Sequence, residues 1–365
     1  MRNRILFVTL SIFSLMPLAL RAQPAPADAV VAVADTRLRL RELPSLESET
    51  LAYLDTETPL TIIGRTADST WLQVYAPEGQ SGWVSAAFLL VNVELGQVVV
   101  VNVDELPHPV VLPSAVAETV HQIYADGQAK GKRAGVFSKV GDSITAARHF
   151  SNPVGDGLYT LADYQYLQGV IDAFTVQTVR DDYNSFTNLS LAAGVGWTTD
   201  AVFKSRFADS SVCLHDESPV DCEYRVVQPS VAFIMFGSND VAHLTEDTYA
   251  YNIARLVKLS IEQGVIPIIS TFPARVGYEE QSAAFNARVV KVAQRYHVPL
   301  WDYDGAMAAL PDYGLAPDGV HPSIPPAGYK GAANFRPSNL YYGYVVRNLT
   351  ALQMLDAVWQ AMSEQ

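Results

Sequence analysis

The sequence predicts an α/β protein whose parallel sheet is covered by helices on both faces, preceded by a small antiparallel all-β unit. Three observations lead there. The chain has 365 residues, more than one typical domain. From about Val30 to Val93 it runs as short strands separated by turns, with no helical period. Beyond about Arg133, short apolar runs alternate with amphipathic stretches, the pattern of strands buried on both faces with helices between them.

The first residues stand outside this scheme. Arg2 and Arg4 precede an apolar run from Ile5 to Leu20, followed by Arg21-Ala22 and a Pro/Ala-rich stretch. A positive start, a short apolar centre and small residues at the cut predict a signal peptide over 1–22, cleaved after Ala22, with 23–29 as linker. The apolar run contains Ser, Thr and Pro and falls short of the ~20 residues a membrane span needs. No Cys lies near it for lipid attachment, and nothing later is long and apolar enough to span, so no stable membrane anchor is expected after cleavage. A secreted, periplasmic or cell-envelope protein is expected. The 25 Lys+Arg against 38 Asp+Glu give −13; losing Arg2, Arg4 and Arg21 with the leader takes this to −16. Such a balance argues against nucleic acid, whose affinity needs clustered cations to neutralise phosphates.

In the all-β unit, 30–93, Leu38 and Leu40 alternate with polar residues, and LAYLD, LTIIGR, WLQVYA and GWVSAAFL follow at spacings that suit a small barrel. The opening Leu38-Arg39-Leu40-Arg41, Trp71 before a strand, and the closing Gly82-Trp83-Val84 resemble a bacterial SH3-like domain. That resemblance implies an SH3-like barrel and cell-wall binding, so the unit is expected to act as a tether.

Residues 94–132 are expected to be a linker, with a Val-rich strand and then a helix, Ser114–Lys132, whose apolar side carries Val116, Val120 and Ile123 or Tyr124. In 133–365, AGVFSKVGDS is a strand entering a turn, and VAFIMFG (231–237) a buried strand. Thr245–Gln263 is a helix through Ile253, Leu256, Val257 and Ile261, stopped by Gly264. VIPIIST is the next strand, Ser282–Tyr296 a helix, VPLWDY a strand, and Asn348–Met362 a helix with Leu352, Leu355 and Trp359 on one side. The stretch 322–340 has too many Pro, Gly and Asn for either element. Cys213 and Cys222 enclose a polar loop, and in an exported protein a close pair predicts a disulfide stapling a surface loop.

In parallel sheets ligands sit beyond the carboxyl ends of strands, and three motifs fall there or in a late loop: Gly141-Asp142-Ser143, Gly237-Ser238-Asn239-Asp240 and Asp318-Gly319-Val320-His321. With the glycine-containing AAGVGWTTD between the first two, the set resembles the SGNH/GDSL hydrolase family over about Arg133–Met362. Ile144 stands where the family name has Leu. The glycine block is the loosest match, with Gly196 the better oxyanion glycine and Gly194 the fallback. The resemblance implies a three-layer α/β/α (flavodoxin-like) fold. The chemistry also stands on the residues. A Ser hydroxyl needs a base within hydrogen-bond reach to act as nucleophile, and His suits that task. Asp318, three residues before His321, can turn back to hold the other ring nitrogen. The N–H groups of Ser143 and Gly196 and the Asn239 amide can stabilise an oxyanion.

Ser143, Asp318 and His321 are therefore expected to be catalytic, in an exported ester hydrolase that needs no cofactor. All the candidate catalytic groups lie beyond Arg133, so removal of the all-β unit is expected to spare turnover of small esters. Asp142 and Asp240 are expected to brace their turns; Asp240 with His243 lacks further ligands for a metal. Trp197 is a candidate for lining the acyl site. The sequons at Asn188 and Asn348 are read as coincidental. An O-acylated wall or extracellular polysaccharide is the first substrate choice, then lipid or small esters. An acyltransferase with the same triad, and a glycan- or peptide-binding protein without catalysis, remain alternatives.

Overall fold

The computed structural model describes residues 27–31, 38–41, 44–46, 48, 50–77, 81–98, 100, 110, 112–308 and 310–363. The expected signal peptide, 1–22, lies outside the described residues.

The amino-terminal unit is an antiparallel sheet of β1 (Ala27–Val31), β2 (Leu38–Arg41), β3 (Thr50–Leu54), β4 (Pro59–Arg65), β5 (Trp71–Tyr75), β6 (Ser81–Ser85) and β7 (Leu89–Val91), in the spatial order β3-β2-β6-β5-β4-β1-β7. Period-two patterning builds it: along β4, Leu60, Ile62 and Gly64 are buried and the residues between them are not. The Leu60 and Ile62 side chains join Leu40, Leu72, Val74 and Val84 in a core separate from that of the rest of the molecule. The sheet begins inside the stretch expected to be linker. The backbone of β1 from Ala27 onward pairs with β4 on one side and β7 on the other.

The larger unit starts earlier than expected. Helix α1 (Ser114–Ala129) buries Val120 and Ile123 and packs against the sheet and the carboxy-terminal helix. It belongs to the layer around the sheet, not to a linker. Then follow β8 (Arg133–Gly141), α2 (Ser143–Ala146), α3 (Asn152–Gly155), α4 (Gln168–Thr175), the short pair β9 (Thr178–Arg180) and β10 (Tyr183–Asn184), α5 (Pro219–Val227) and β11 (Pro229–Met235). The chain continues through α6 (Asp240–His243), α7 (Glu246–Glu262), β12 (Ile266–Ser270), α8 (Glu279–Tyr296), β13 (Leu300–Trp301), α9 (Tyr303–Met307) and α10 (Gly343–Ser363).

Strands β13-β12-β11-β8 form a parallel sheet. Every residue of β11 and β12 is buried, as strands covered on both faces must be. One helical layer holds α1, α4 and α10; the other holds α7 packed on α8, with α5 joined to α7 by a hydrogen bond between Tyr224 and Ser260 (2.8 Å). The register aligns the carboxyl ends: Gly141 lies beside Met235, Ile234 beside Ile269, and Ser270 beside Trp301. The turns that follow these strands therefore open on one edge.

Helix α7 ends as expected, with Gly264 at φ +74°. Two helices start earlier than the periodicity suggested. Glu279 and Glu280 occupy the first turn of α8, where the helix dipole favours carboxylates, and α10 begins at Gly343, five residues before its apolar repeat becomes clear. The disulfide Cys213–Cys222 is present, but it does more than staple a surface loop. Cys222 sits in α5 with no exposed surface, so the bridge ties the loop to a buried helix. Among the described residues, no helix is long and apolar enough to cross a membrane.

Candidate active site

Strand β8 delivers Gly141-Asp142-Ser143 to the sheet edge. Asp142 caps α2, its Oδ1 accepting from the Ile144 N–H at 3.0 Å. It is fully buried; burial pushes its carboxyl up to about 7, against the Ile144 hydrogen bond and the Arg347 guanidinium, with the Asp240 carboxylate adding to the rise. Asp142 therefore braces the turn. The Ser143 hydroxyl lies 2.9 Å from Nε2 of His321.

On the far side of the imidazole, Nδ1 is 2.7 Å from Oδ2 of Asp318. The other oxygen of the same carboxylate accepts from the N–H groups of Val320 and His321, both at 2.9 Å. One side chain thus shapes the loop and orients the ring. Partial burial would raise the Asp318 carboxyl, but the hydrogen bonds from the His321 and Val320 amides and from the His321 ring outweigh it and hold it below the ordinary carboxylate range. With Asp318 ionised and accepting from Nδ1–H, Nε2 faces Ser143 as an acceptor.

The glycine block runs beside β8. Gly141 N–H donates to Ala192 O and Gly194 N–H donates to Gly141 O, both at 3.1 Å. The second bond commits the Gly194 amide and removes it as an oxyanion donor. Gly196, at φ +74°, has no backbone acceptor for its N–H among the described residues. Its loop is pinned from the next turn. Oδ1 of buried Asp240 accepts from both the N–H and the hydroxyl of Thr199, each at 2.7 Å, and Asn252 donates to the same hydroxyl at 3.0 Å. Asp240 thus braces a neighbouring segment as well as its own, and burial pushes its carboxyl up to about 6 against those two bonds.

Asn239 reaches across the same gap, Nδ2 donating to Trp197 O at 3.0 Å. An amide nitrogen carries two hydrogens, which leaves one for a developing oxyanion. The turn before it requires glycine. At Gly237 φ is +138°, and a Cβ there would lie 2.1 Å from the Phe272 ring. Asn239→Ala is expected to lower kcat by about 100-fold or more, the usual cost of one oxyanion donor. The check is kcat on a small soluble ester alongside the melting temperature, which should move far less.

Several supporting residues gave no clear sign in the sequence. Arg275 Nη1 donates to Ser238 O at 2.7 Å, and the next residue, Val276, donates its N–H to Gly319 O at 2.9 Å. The loop after β12 therefore links the Asn239 turn to the His321 loop. Arg347, on α10, is buried; it donates to Thr145 Oγ1 at 3.0 Å and lies over the rings of Phe150, Trp301 and Tyr303. A lone Arg in the apolar run YVVRNLTAL was the available signal. His243 Nδ1 lies 2.8 Å from Asn239 O, so His243 and Asp240 both serve local bracing. Trp197 packs edge-on against Phe207. The stretch 322–340 folds back beside the segment that follows α2, where Tyr329 lies under the Arg148 guanidinium and next to the His149 ring. Asn188 and Asn348 are both buried, so neither sequon presents an acceptor.

Residues 140–330 match the family model described as the GDSL-like lipase/acylhydrolase family, and residues 36–89 match the bacterial SH3 domain. No curated protein matches the chain. Among solved structures, a lipase/acylhydrolase from Enterococcus faecalis is 20% identical over 59% of this chain and 95% of its own, with a TM-score of 0.36. The psychrotrophic esterase EstA from Pseudoalteromonas sp. is 16% identical over 63% and 100%, with a TM-score of 0.39. A carbohydrate esterase family 3 protein from Talaromyces cellulolyticus is 13% identical over 60% and 97%, with a TM-score of 0.38.

Proposed function

Since the chain belongs to the GDSL-like lipase/acylhydrolase family and carries a bacterial SH3 domain ahead of it, we propose that it is an exported serine esterase that removes short acyl groups from wall or extracellular polysaccharide. The observation that carries the catalytic part is the contact chain from Ser143 Oγ to His321 Nε2 at 2.9 Å and from His321 Nδ1 to Asp318 at 2.7 Å. In this reading Ser143 attacks the ester carbonyl while His321 takes its proton. The N–H groups of Ser143 and Gly196 and the Asn239 amide hold the oxyanion. His321 then gives the proton to the leaving alcohol, an acyl-enzyme remains, and a water activated by the same imidazole releases the acid.

The polysaccharide part is supported by domain pairing and charge. An SH3-type module suits retention at wall material, and a net charge of −13 disfavours anionic lipid surfaces and nucleic acid. The test is a panel of p-nitrophenyl esters of graded chain length together with O-acetylated glycans. The expected result is highest kcat/KM on acetyl esters, with acetate released from the glycan. Preference for long acyl chains, with no release from glycans, would replace this substrate class with lipid esters.

A further inference from the structure

The two units touch at a place that leads to the catalytic histidine. Tyr75, at the end of β5, sets its ring edge-on against Tyr341, with centroids 5.4 Å apart, and β6 lies against the turn Pro337–Asn339. Both tyrosines are half-buried. Burial raises the Tyr75 hydroxyl pKa, and Tyr342 and Asp312, close beside it, add to the rise.

Those two neighbours belong to the segments that hold the His321 loop. After Tyr341-Tyr342, the Gly343 N–H donates to Ser323 Oγ at 2.9 Å and the Tyr344 N–H to Ser323 O at 3.0 Å. From the other side, Gly314 O accepts from the Ser323 N–H at 2.7 Å, Leu315 bridges Pro322, and Ala316 N–H donates to His321 O at 2.8 Å. The clamp is tight: a Cβ on Gly343 would sit 2.2 Å from Gly314 O. It is also strained, because Asp312 and Tyr313 precede Gly314 with φ of +49° and +53°, a conformation that persists only where surroundings enforce it.

We propose that the SH3 domain is part of the catalytic scaffold, with Tyr75 acting through Tyr341 as a positioning residue that seats the His321 loop. This departs from the expectation of a simple tether whose loss spares small-ester turnover. It rests on His321 serving as the base. A loop clamped from two sides holds Nε2 on Ser143; with the Tyr75 ring gone, the 341–344 arm gains freedom and His321 spends less time in line. The substrate-contacting groups are untouched, so the loss falls on kcat and not on KM.

The test uses the full chain and p-nitrophenyl acetate. Tyr75→Ala and Tyr341→Ala should each lower kcat by about 2- to 30-fold, the range of coupling carried through packed contacts, with KM unchanged. Tyr75→Phe keeps the ring and should restore kcat. The double alanine variant should be no slower than the worse single, because both remove one contact. Tyr341→Ala lies outside the core of the SH3 domain, so it keeps the test valid if Tyr75→Ala fails to fold. Wild-type kcat in folded Tyr341→Ala, losses that multiply in the double variant, or no rescue by Phe would each overturn the proposal. His321→Ala separates the two readings. If it is inactive while the tyrosine variants are normal, only this inference fails; if it stays active, the base assignment fails first.

Discussion

Ser143→Ala is expected to lower kcat on any ester by at least about 10⁴-fold, the scale seen when a nucleophile of this kind is removed. Without Oγ no acyl-enzyme forms, and only the oxyanion donors acting on a water remain. Stability should hardly change. Among the described residues the Ser143 hydroxyl makes one hydrogen bond, to His321 Nε2; its side chain is half-buried at the first position of α2, where alanine is a good helix former. The measurement is steady-state hydrolysis of p-nitrophenyl acetate with a melting curve of the same preparation. Retention of more than a few per cent of activity in a folded variant would point to another nucleophile.

Asp318→Asn should cost on the order of 10³-fold in kcat, less than the ~10⁴ known for a buried triad aspartate. The amide keeps the shape, but it can donate to Nδ1 and leave Nε2 protonated, the wrong tautomer for a base. The smaller loss follows from exposure. The Asp318 side chain is 51% exposed, and water screens its charge more than a buried carboxylate would be screened. Since hydrogen bonds hold Asp318 below the ordinary carboxylate range, its own protonation should not shape the wild-type profile above that range. Near-wild-type kcat would reduce Asp318 to a loop residue.

What the sequence disclosed and what it hid follow from the range of the interactions involved. Buried strands were readable because β11 and β12 are apolar except for Ser230 and Ser270 and buried along their whole length. The contacts around Ser143, Asn239 and His321 were legible as short motifs because each group sits where its strand or loop must end. Gly194 and Gly196 looked alike in sequence; the Gly194–Gly141 bond that separates them joins residues far apart in the chain. Arg347 and Arg275 were hidden for the same reason, since their partners lie on other elements. The starts of α8 and α10 lie outside the apolar repeat because their first turns carry carboxylates or buried aromatic and glycine residues instead of a repeating apolar side. Helix α5 is hidden in the sequence by its short length and by the polar loop that Cys213 and Cys222 enclose, which runs into it.

The most direct test of the account is stoichiometric labelling with a fluorophosphonate, followed by intact mass and peptide mapping. The predicted result is one adduct per chain, on Ser143, formed by the wild-type protein, greatly slowed in His321→Ala and absent in Ser143→Ala. Hydrolysis should fall in proportion to the labelled fraction. An active preparation that takes no label, or one whose label maps to another residue and still extinguishes hydrolysis, would contradict the assignment of Ser143 as the nucleophile.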